Sequence, residues 1–288
     1  MSVGETANDL ALTDAAEILN VHYMTAYRYV RMGLLRGHKV GAFWYVTRKD
    51  LKEFQSGRGN GVARIPTGGG HAKAPWSERL LARLIDGDEI GALGVMESAL
   101  RSGTTMDRLY LEVLAPALVE IGERWRRGEL EVYVEHRASV IAFRLIAQIG
   151  PRFIPRGVRK GEIIIGAPAN ERHGLASAMV ADIMRGQGWQ VSDLGADVPT
   201  STFVGAVNDA VDLVAVCVVV TMPESLVAGG ELLAALRSAR RPGVPLYLGG
   251  AGVKSREEAL NLGADRWVDS VESFIESCSV IARRQGVT

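Results

Sequence analysis

GEIIIGAPANERHGLASAMV, residues 161–180, passes from a short unbroken apolar run through a polar loop into a segment of helical spacing. An apolar run of this length, bounded by glycine, reads as a strand buried on both faces. The pattern returns as WQVSDLG (189–195), DLVAVCVVV (212–220) and VPLYLGG (244–250), each followed by a stretch able to form a helix. Alternation of this kind specifies a parallel sheet covered by helices on both faces, a doubly wound α/β domain over residues 156–288. His173 then falls just past the carboxyl end of the first strand, where such sheets bind ligands. Glu171, two residues earlier, can accept a hydrogen bond from one imidazole nitrogen, an arrangement that orients a metal-ligating histidine.

Upstream the periodicity is helical. Leu80, Leu81, Leu84 and Ile85, then Leu109, Leu111, Leu114 and Leu118, then Val140, Ile141, Leu145 and Ile146 recur at helix spacing. We expect a four-helix bundle over residues 76–155, with these side chains in its core. Residues 56–75, SGRGNGVARIPTGGGHAKAP, supply glycine, proline and small polar residues without apolar periodicity and read as a flexible linker. Residues 1–55 precede it. There Thr13 is placed to cap a short helix, Asn20-Val21 to turn into a second helix from His22 to Met32, and Gly33 to end it. Lys39 to Val46 reads as a hairpin closed around Gly41. Together these make a winged helix-turn-helix of α+β class, with Tyr23, Thr25, Arg28, Arg31 and Lys39 as candidates for contacting double-stranded DNA.

Composition sets the outer limits. Among 288 residues, 33 basic side chains balance 33 acidic ones, so DNA contact must come from a local patch and not from a net field. The two cysteines, Cys217 and Cys278, stand far apart, which speaks against a disulfide framework or a cysteine-based zinc site and suits a reducing cytoplasm. The longest strictly apolar run, Leu213 to Val220, falls short of the ~20 residues of a membrane helix. We therefore expect a cytoplasmic protein without membrane contact. No paired carboxylates, nucleophile triad or phosphate loop stands out, so we expect a switch and not an enzyme.

Two stretches carry resemblances. Residues 12–54, LTDAAEILNVHYMTAYRYVRMGLLRGHKVGAFWYVTRKDLKEF, resemble the winged helix-turn-helix of excisionases and MerR-type regulators. The C-terminal domain resembles the flavodoxin-like cobalamin-binding domain of the methionine synthase and mutase type, whose fingerprint is Asp-x-His-x-x-Gly, Ser-x-Leu and Gly-Gly. Here these appear as Glu171-Arg172-His173-Gly174-Leu175-Ala176, Cys217-Val218-Val219 and Gly249-Gly250, with Leu194 to Pro199, including Asp197, matching the segment after the second strand. The resemblance implies that His173 binds cobalt from below and that the nucleotide tail enters a slot beside the strands. Glycine at Gly249 and Gly250 would let a flat heterocycle approach the backbone. Glu171 replaces the family's aspartate, Ala176 its glycine, and Cys217 the serine that bonds the tail, unless Thr221 substitutes.

Trp125, followed by Glu135-His136, resembles the bundle motif of CarH-type regulators, the light-sensing cobalamin repressors. That resemblance implies adenosylcobalamin as cofactor, with Trp125, Glu135 and His136 over its upper ligand, and assembly as a homo-oligomer, dimer or tetramer. Those proteins have a histidine after the tryptophan that takes cobalt in the light state. This chain has Arg126, whose guanidinium offers no lone pair. A regulator sensing cobalamin or another ligand without light, and a corrinoid-carrying methyl-transfer subunit, are the alternatives.

Overall fold

A computed structural model of the chain describes residues 9–19, 21, 26–27, 29–30, 35–40, 43–55, 75–157 and 159–285. The chain forms two compact units, Met1–Lys73 and Ala74–Thr288. In the first, strand β1 (Asp9–Ala11) leads into helix α1 (Leu12–Ile18), and strands β2 (His38–Val40) and β3 (Phe43–Thr47) precede helix α2 (Arg48–Gln55). The three strands form an antiparallel sheet in the order β1-β3-β2, with Lys39 opposite Trp44. The hairpin expected around Gly41 is present in its two strands, while β1 was not legible in the sequence.

Thr13 does not cap the first helix. Ala11 holds the cap position and Thr13 lies inside the first turn, because β1 runs directly into the helix. Thr47 instead caps α2, its hydroxyl accepting from the Asp50 N–H at 3.1 Å. Residues 26–27 and 29–30 are helical, and Ala26 and Val30 are buried with Leu12, Ala15, Leu35, Val46 and Leu51. Tyr23, Thr25, Arg28, Arg31 and Gly33, and the linker residues 56–74, lie outside the described residues.

The second unit opens with α3 (Trp76–Asp86), α4 (Glu89–Arg101), a helical run comprising α5 (Met106–Arg108), a π-helical stretch Leu109–Leu114 and α6 (Ala115–Arg126), and then α7 (Val132–Ile149). Leu80, Leu84, Leu109, Leu114, Ile141, Leu145 and Ile146 fill the bundle core as their spacing predicts. Val140 departs from that expectation: it is 51% exposed, on the opposite side of α7 from Ile141 and Ala142.

The sheet follows. Strands β4 (Glu162–Gly166), β5 (Gln190–Asp193), β6 (Leu213–Val219), β7 (Leu246–Gly249) and β8 (Arg266–Val268) alternate with α8 (Leu175–Gly186), α9 (Thr200–Asp209), α10 (Leu226–Ala239) and α11 (Arg256–Asn261), and α12 (Val271–Gln285) closes the chain. All pairs are parallel and the order is β5-β4-β6-β7-β8. This doubly wound order reverses direction between β4 and β6, and ligands settle at such a switch point, beyond the strands' carboxyl ends. Strand β6 is buried along its length, with alternate side chains facing α8 and α12 or α9 and α10.

Bundle and sheet meet through polar side chains as well as apolar ones. The buried Tyr110 hydroxyl, on the π-helical stretch, lies 3.1 Å from Asp182 Oδ2 on α8, and Arg185 donates to Asp182 Oδ1 at 2.9 Å. Gly150, just past α7, packs so closely that a Cβ there would lie 1.9 Å from Asp182 Oδ2. Only glycine leaves room for that carboxylate.

Candidate functional site

The loop after β4 runs across the switch point and is fixed there by one buried carboxylate. Glu171 is fully buried. Its Oε2 accepts the backbone N–H groups of Thr221 and Met222, both at 2.9 Å, from the loop after β6. Its Oε1 accepts the His173 N–H at 3.1 Å and lies 2.6 Å from His173 Nδ1. Burial pushes the Glu171 carboxyl up, but the Met222 N–H, the His173 ring and N–H, and the Thr221 N–H together hold it below the usual carboxylate range. An ionised carboxylate can only accept, so Nδ1 carries a proton and, in the neutral imidazole, Nε2 carries the lone pair. The His173 side chain is 59% exposed, with that lone pair available to a ligand.

A third loop joins them. Asp197, at a left-handed φ of 55°, accepts the Asn170 N–H at 2.7 Å and donates its own N–H to the Glu171 carbonyl at 2.8 Å. Three of the residues singled out in sequence, Glu171, His173 and Asp197, are thus locked together, and Thr221 joins through its backbone. The Thr221 hydroxyl oxygen is buried without a hydrogen-bond partner, a polar group that a ligand could satisfy.

Gly249 and Gly250 are both crowded by the protein's own neighbouring strand ends. A Cβ on Gly250, whose φ is 104°, would stand 2.3 Å from the Val220 carbonyl oxygen, and one on Gly249 would stand 2.7 Å from Val268 Cβ. Their missing side chains let neighbouring strand ends close on each other, against the Val220 backbone at Gly250 and the Val268 side chain at Gly249. Cys217 is likewise withdrawn from the site: it is buried among apolar side chains under α8 and α12, and burial pushes its thiol up to about 12. Val219 packs in the same layer.

The bundle reaches the site along one face of α7. Phe143 Cζ lies 3.3 Å from where a Cβ of Gly174 would stand, which places it beside the residue following His173. Tyr133, Val140 and Phe143 are exposed at 63%, 51% and 45%, and His136 shares their helical stripe at i, i+3 and i+4 spacing. Trp125 is half exposed near the end of α6. Glu135 and His136 pair with each other at 2.7 Å, and Glu135 also accepts from Ser139. Arg126 is exposed and bonded to Glu123. Sequence reading missed Tyr133, Val140, Phe143 and Met222, the last 41% exposed beside Glu171. The helical period placed Val140 in the core, whereas an exposed apolar stripe opposite the buried one was the available signal.

Comparison with known proteins finds three matching family models. A family model described as a B12 binding domain matches residues 76–148, a second B12 binding domain matches residues 161–277, and a helix-turn-helix domain matches residues 10–59. A corrinoid protein of Desulfitobacterium hafniense is 22% identical over 209 residues, covering 71% of this chain and 96% of that protein. The transcriptional repressor CarH of Myxococcus xanthus is 30% identical over 189 residues, covering 65% of this chain and 61% of CarH. The monomethylamine corrinoid protein of Methanosarcina barkeri superposes with a TM-score of 0.61 at 17% identity, over 71% of this chain and 98% of that one, and shares the fold. The chain thus joins a segment similar to helix-turn-helix domains to two segments similar to B12 binding domains.

Proposed function

We propose that this protein is a DNA-binding transcriptional regulator, a repressor, that holds adenosylcobalamin between the exposed face of α7 and the carboxyl ends of β4 and β6. The observation that carries the reading is the Glu171–His173 pair at the switch point, 2.6 Å apart, with Nε2 free. One imidazole oriented by a buried carboxylate suits a metal that brings its own equatorial ligands, and the partnerless Thr221 hydroxyl suits a polar substituent at the macrocycle rim. Cobalamin, when bound, supplies a cobalt–carbon bond that visible light cleaves. His173 would hold the cobalt through Nε2, and Glu171 would fix the tautomer of its ring. Trp125, Tyr133 and Phe143 offer apolar surface to the upper ligand, and Glu135 and His136 offer polar atoms to its ribose or adenine.

In this reading the helix-turn-helix segment contacts double-stranded DNA through Tyr23, Thr25, Arg28 and Arg31, with the exposed Lys39 on β2 reaching the phosphates. Assembly into dimers or tetramers brings several such segments onto one operator and raises affinity through effective concentration. Arg126 cannot trap the light state as a cobalt ligand, so any light response rests on loss of the upper ligand alone. A second reading, a corrinoid carrier for methyl transfer, is favoured by the similarity to corrinoid proteins over the second unit. The helix-turn-helix match at residues 10–59 favours the regulator.

The deciding experiment loads the purified chain with adenosylcobalamin in the dark, then records absorbance and DNA retardation before and after green light. The regulator reading expects a coloured protein that retards DNA and changes both properties on illumination. A spectrum unmoved by light, with DNA still bound, leaves a light-independent regulator. Loss of DNA affinity in every state leaves the carrier, and a colourless protein removes the cofactor.

A further inference from the structure

The corrin ring needs only the rim of the sheet, where His173, Thr221 and Met222 emerge. The nucleotide arm of a cobalamin needs more, because once His173 takes the lower axial position the displaced dimethylbenzimidazole must go elsewhere. The route beside the strands would run past Cys217, and that layer is filled. Cys217 is 2% exposed, Val219 4%, Tyr247 1%, Phe274 1% and Cys278 0%. The Tyr247 and Phe274 rings meet edge to face with centroids 4.9 Å apart, and the Tyr247 hydroxyl lies 2.7 Å from Ser277 Oγ, so its polar end is satisfied inside the protein. Ala176, in the first turn of α8, packs its methyl group onto the same cluster. The other face is equally closed: Val218, Val220, Leu232 and Leu248 are each 0% exposed. Interiors packed at crystal-like density hold no spare volume for a bicyclic base. Nor does the neutral Cys217 thiol offer more than a weak donor to one.

We propose that this protein selects its cofactor by the corrin ring and its metal and not by the nucleotide arm, so that it accepts corrinoids with any lower base, including the armless cobinamides. The inference rests on the corrinoid reading above. It also has a thermodynamic corollary: a cobalamin must release its own lower base before His173 can bind, whereas a cobinamide has none to release.

Dark titration of the full-length apoprotein with adenosylcobalamin and with adenosylcobinamide, which share ring and upper ligand, tests it by absorbance and calorimetry. Adenosylcobinamide is expected to bind with a Kd equal to that of adenosylcobalamin within about threefold, or lower. Adenosylcobalamin binding more than about threefold tighter would overturn the inference while leaving the corrinoid reading intact. Binding of neither would remove both. As an independent check, Cys217→Ser is expected to leave both affinities unchanged, and selective tightening of adenosylcobalamin by that hydroxyl would show the arm to reach β6.

Discussion

Replacing Glu171 by glutamine changes one atom type at the point where three loops meet. The carboxylate accepts backbone N–H groups from Thr221 and Met222 on Oε2 and the His173 N–H on Oε1, which also faces Nδ1. An amide has only one accepting oxygen. Turned toward the β6 loop, it keeps two N–H partners and orphans the His173 N–H, at a cost of about 1–3 kcal/mol. Turned toward His173, it orphans two N–H groups and costs about twice that. The first orientation wins, and it confronts Nδ1 with an N–H donor. The imidazole then shifts its proton to Nε2 and loses the lone pair that a metal requires. At about 2 kcal/mol, a unit of this size should melt about 4–8 °C lower. Calorimetry measures that shift. The tautomer is read from the electron paramagnetic resonance of the protein loaded with the Co(II) corrinoid, where wild type is expected to show axial-nitrogen splitting and Glu171→Gln to lose it. Unaltered melting together with retained splitting would refute the claim that this carboxylate holds the ring.

His173→Ala is expected to abolish the axial-nitrogen signal, weaken corrinoid retention and cost about 1–3 kcal/mol of stability, since it removes a hydrogen bond from the fully buried Glu171 carboxylate; equilibrium dialysis and calorimetry check both. Gly250→Ala forces a Cβ to within 2.3 Å of the Val220 carbonyl at a φ of 104°, and is expected to cost about 2–4 kcal/mol in urea denaturation, together with displacement of the Thr221 and Met222 donors. Asp265 gives a pH dependence. Burial pushes its carboxyl up, but the Leu246 N–H, Arg237 and Arg240 outweigh burial and hold it below the usual range. A carboxyl depressed on folding contributes stability that is fully present above its unfolded pKa of about 3.9 and disappears as the pH falls through the lower folded value. Asp265→Asn should therefore destabilise the protein by about 1–3 kcal/mol at neutral pH and flatten the acid side of its stability curve below about pH 4.

Strand runs such as Glu162–Gly166 were legible because a fully buried parallel strand must be apolar throughout, and the polar loop behind it marked where His173 would emerge. The Glu171 contact with the imidazole was legible for the same local reason, being a matter of two residues. Its bonds to Thr221 and Met222, 50 and 51 residues away, were not, since backbone donors leave no trace in side-chain identity. Gly249 and Gly250 announced a close approach without saying of what, and the neighbours that crowd them are Val268 and Val220, respectively. The three-residue β1 and β8 carry too few positions for a period to show. Val140 was misplaced because helical spacing records that a residue is apolar and not which of two apolar stripes it occupies.

Helix α8 begins two residues after the imidazole and carries, seven residues further on and about 10 Å along its axis, the carboxylate that receives Tyr110 from the π-helical stretch. One rigid rod thus has the candidate ligand His173 at its tip and the helical bundle clamped to its shaft. It cannot slide along its axis without breaking the Tyr110–Asp182 clamp or dragging His173 off its mark, which leaves tilting of rod and cover together as the cheap motion. Amide hydrogens of α8 and of residues 109–114 should consequently exchange with deuterium as a single cooperative block.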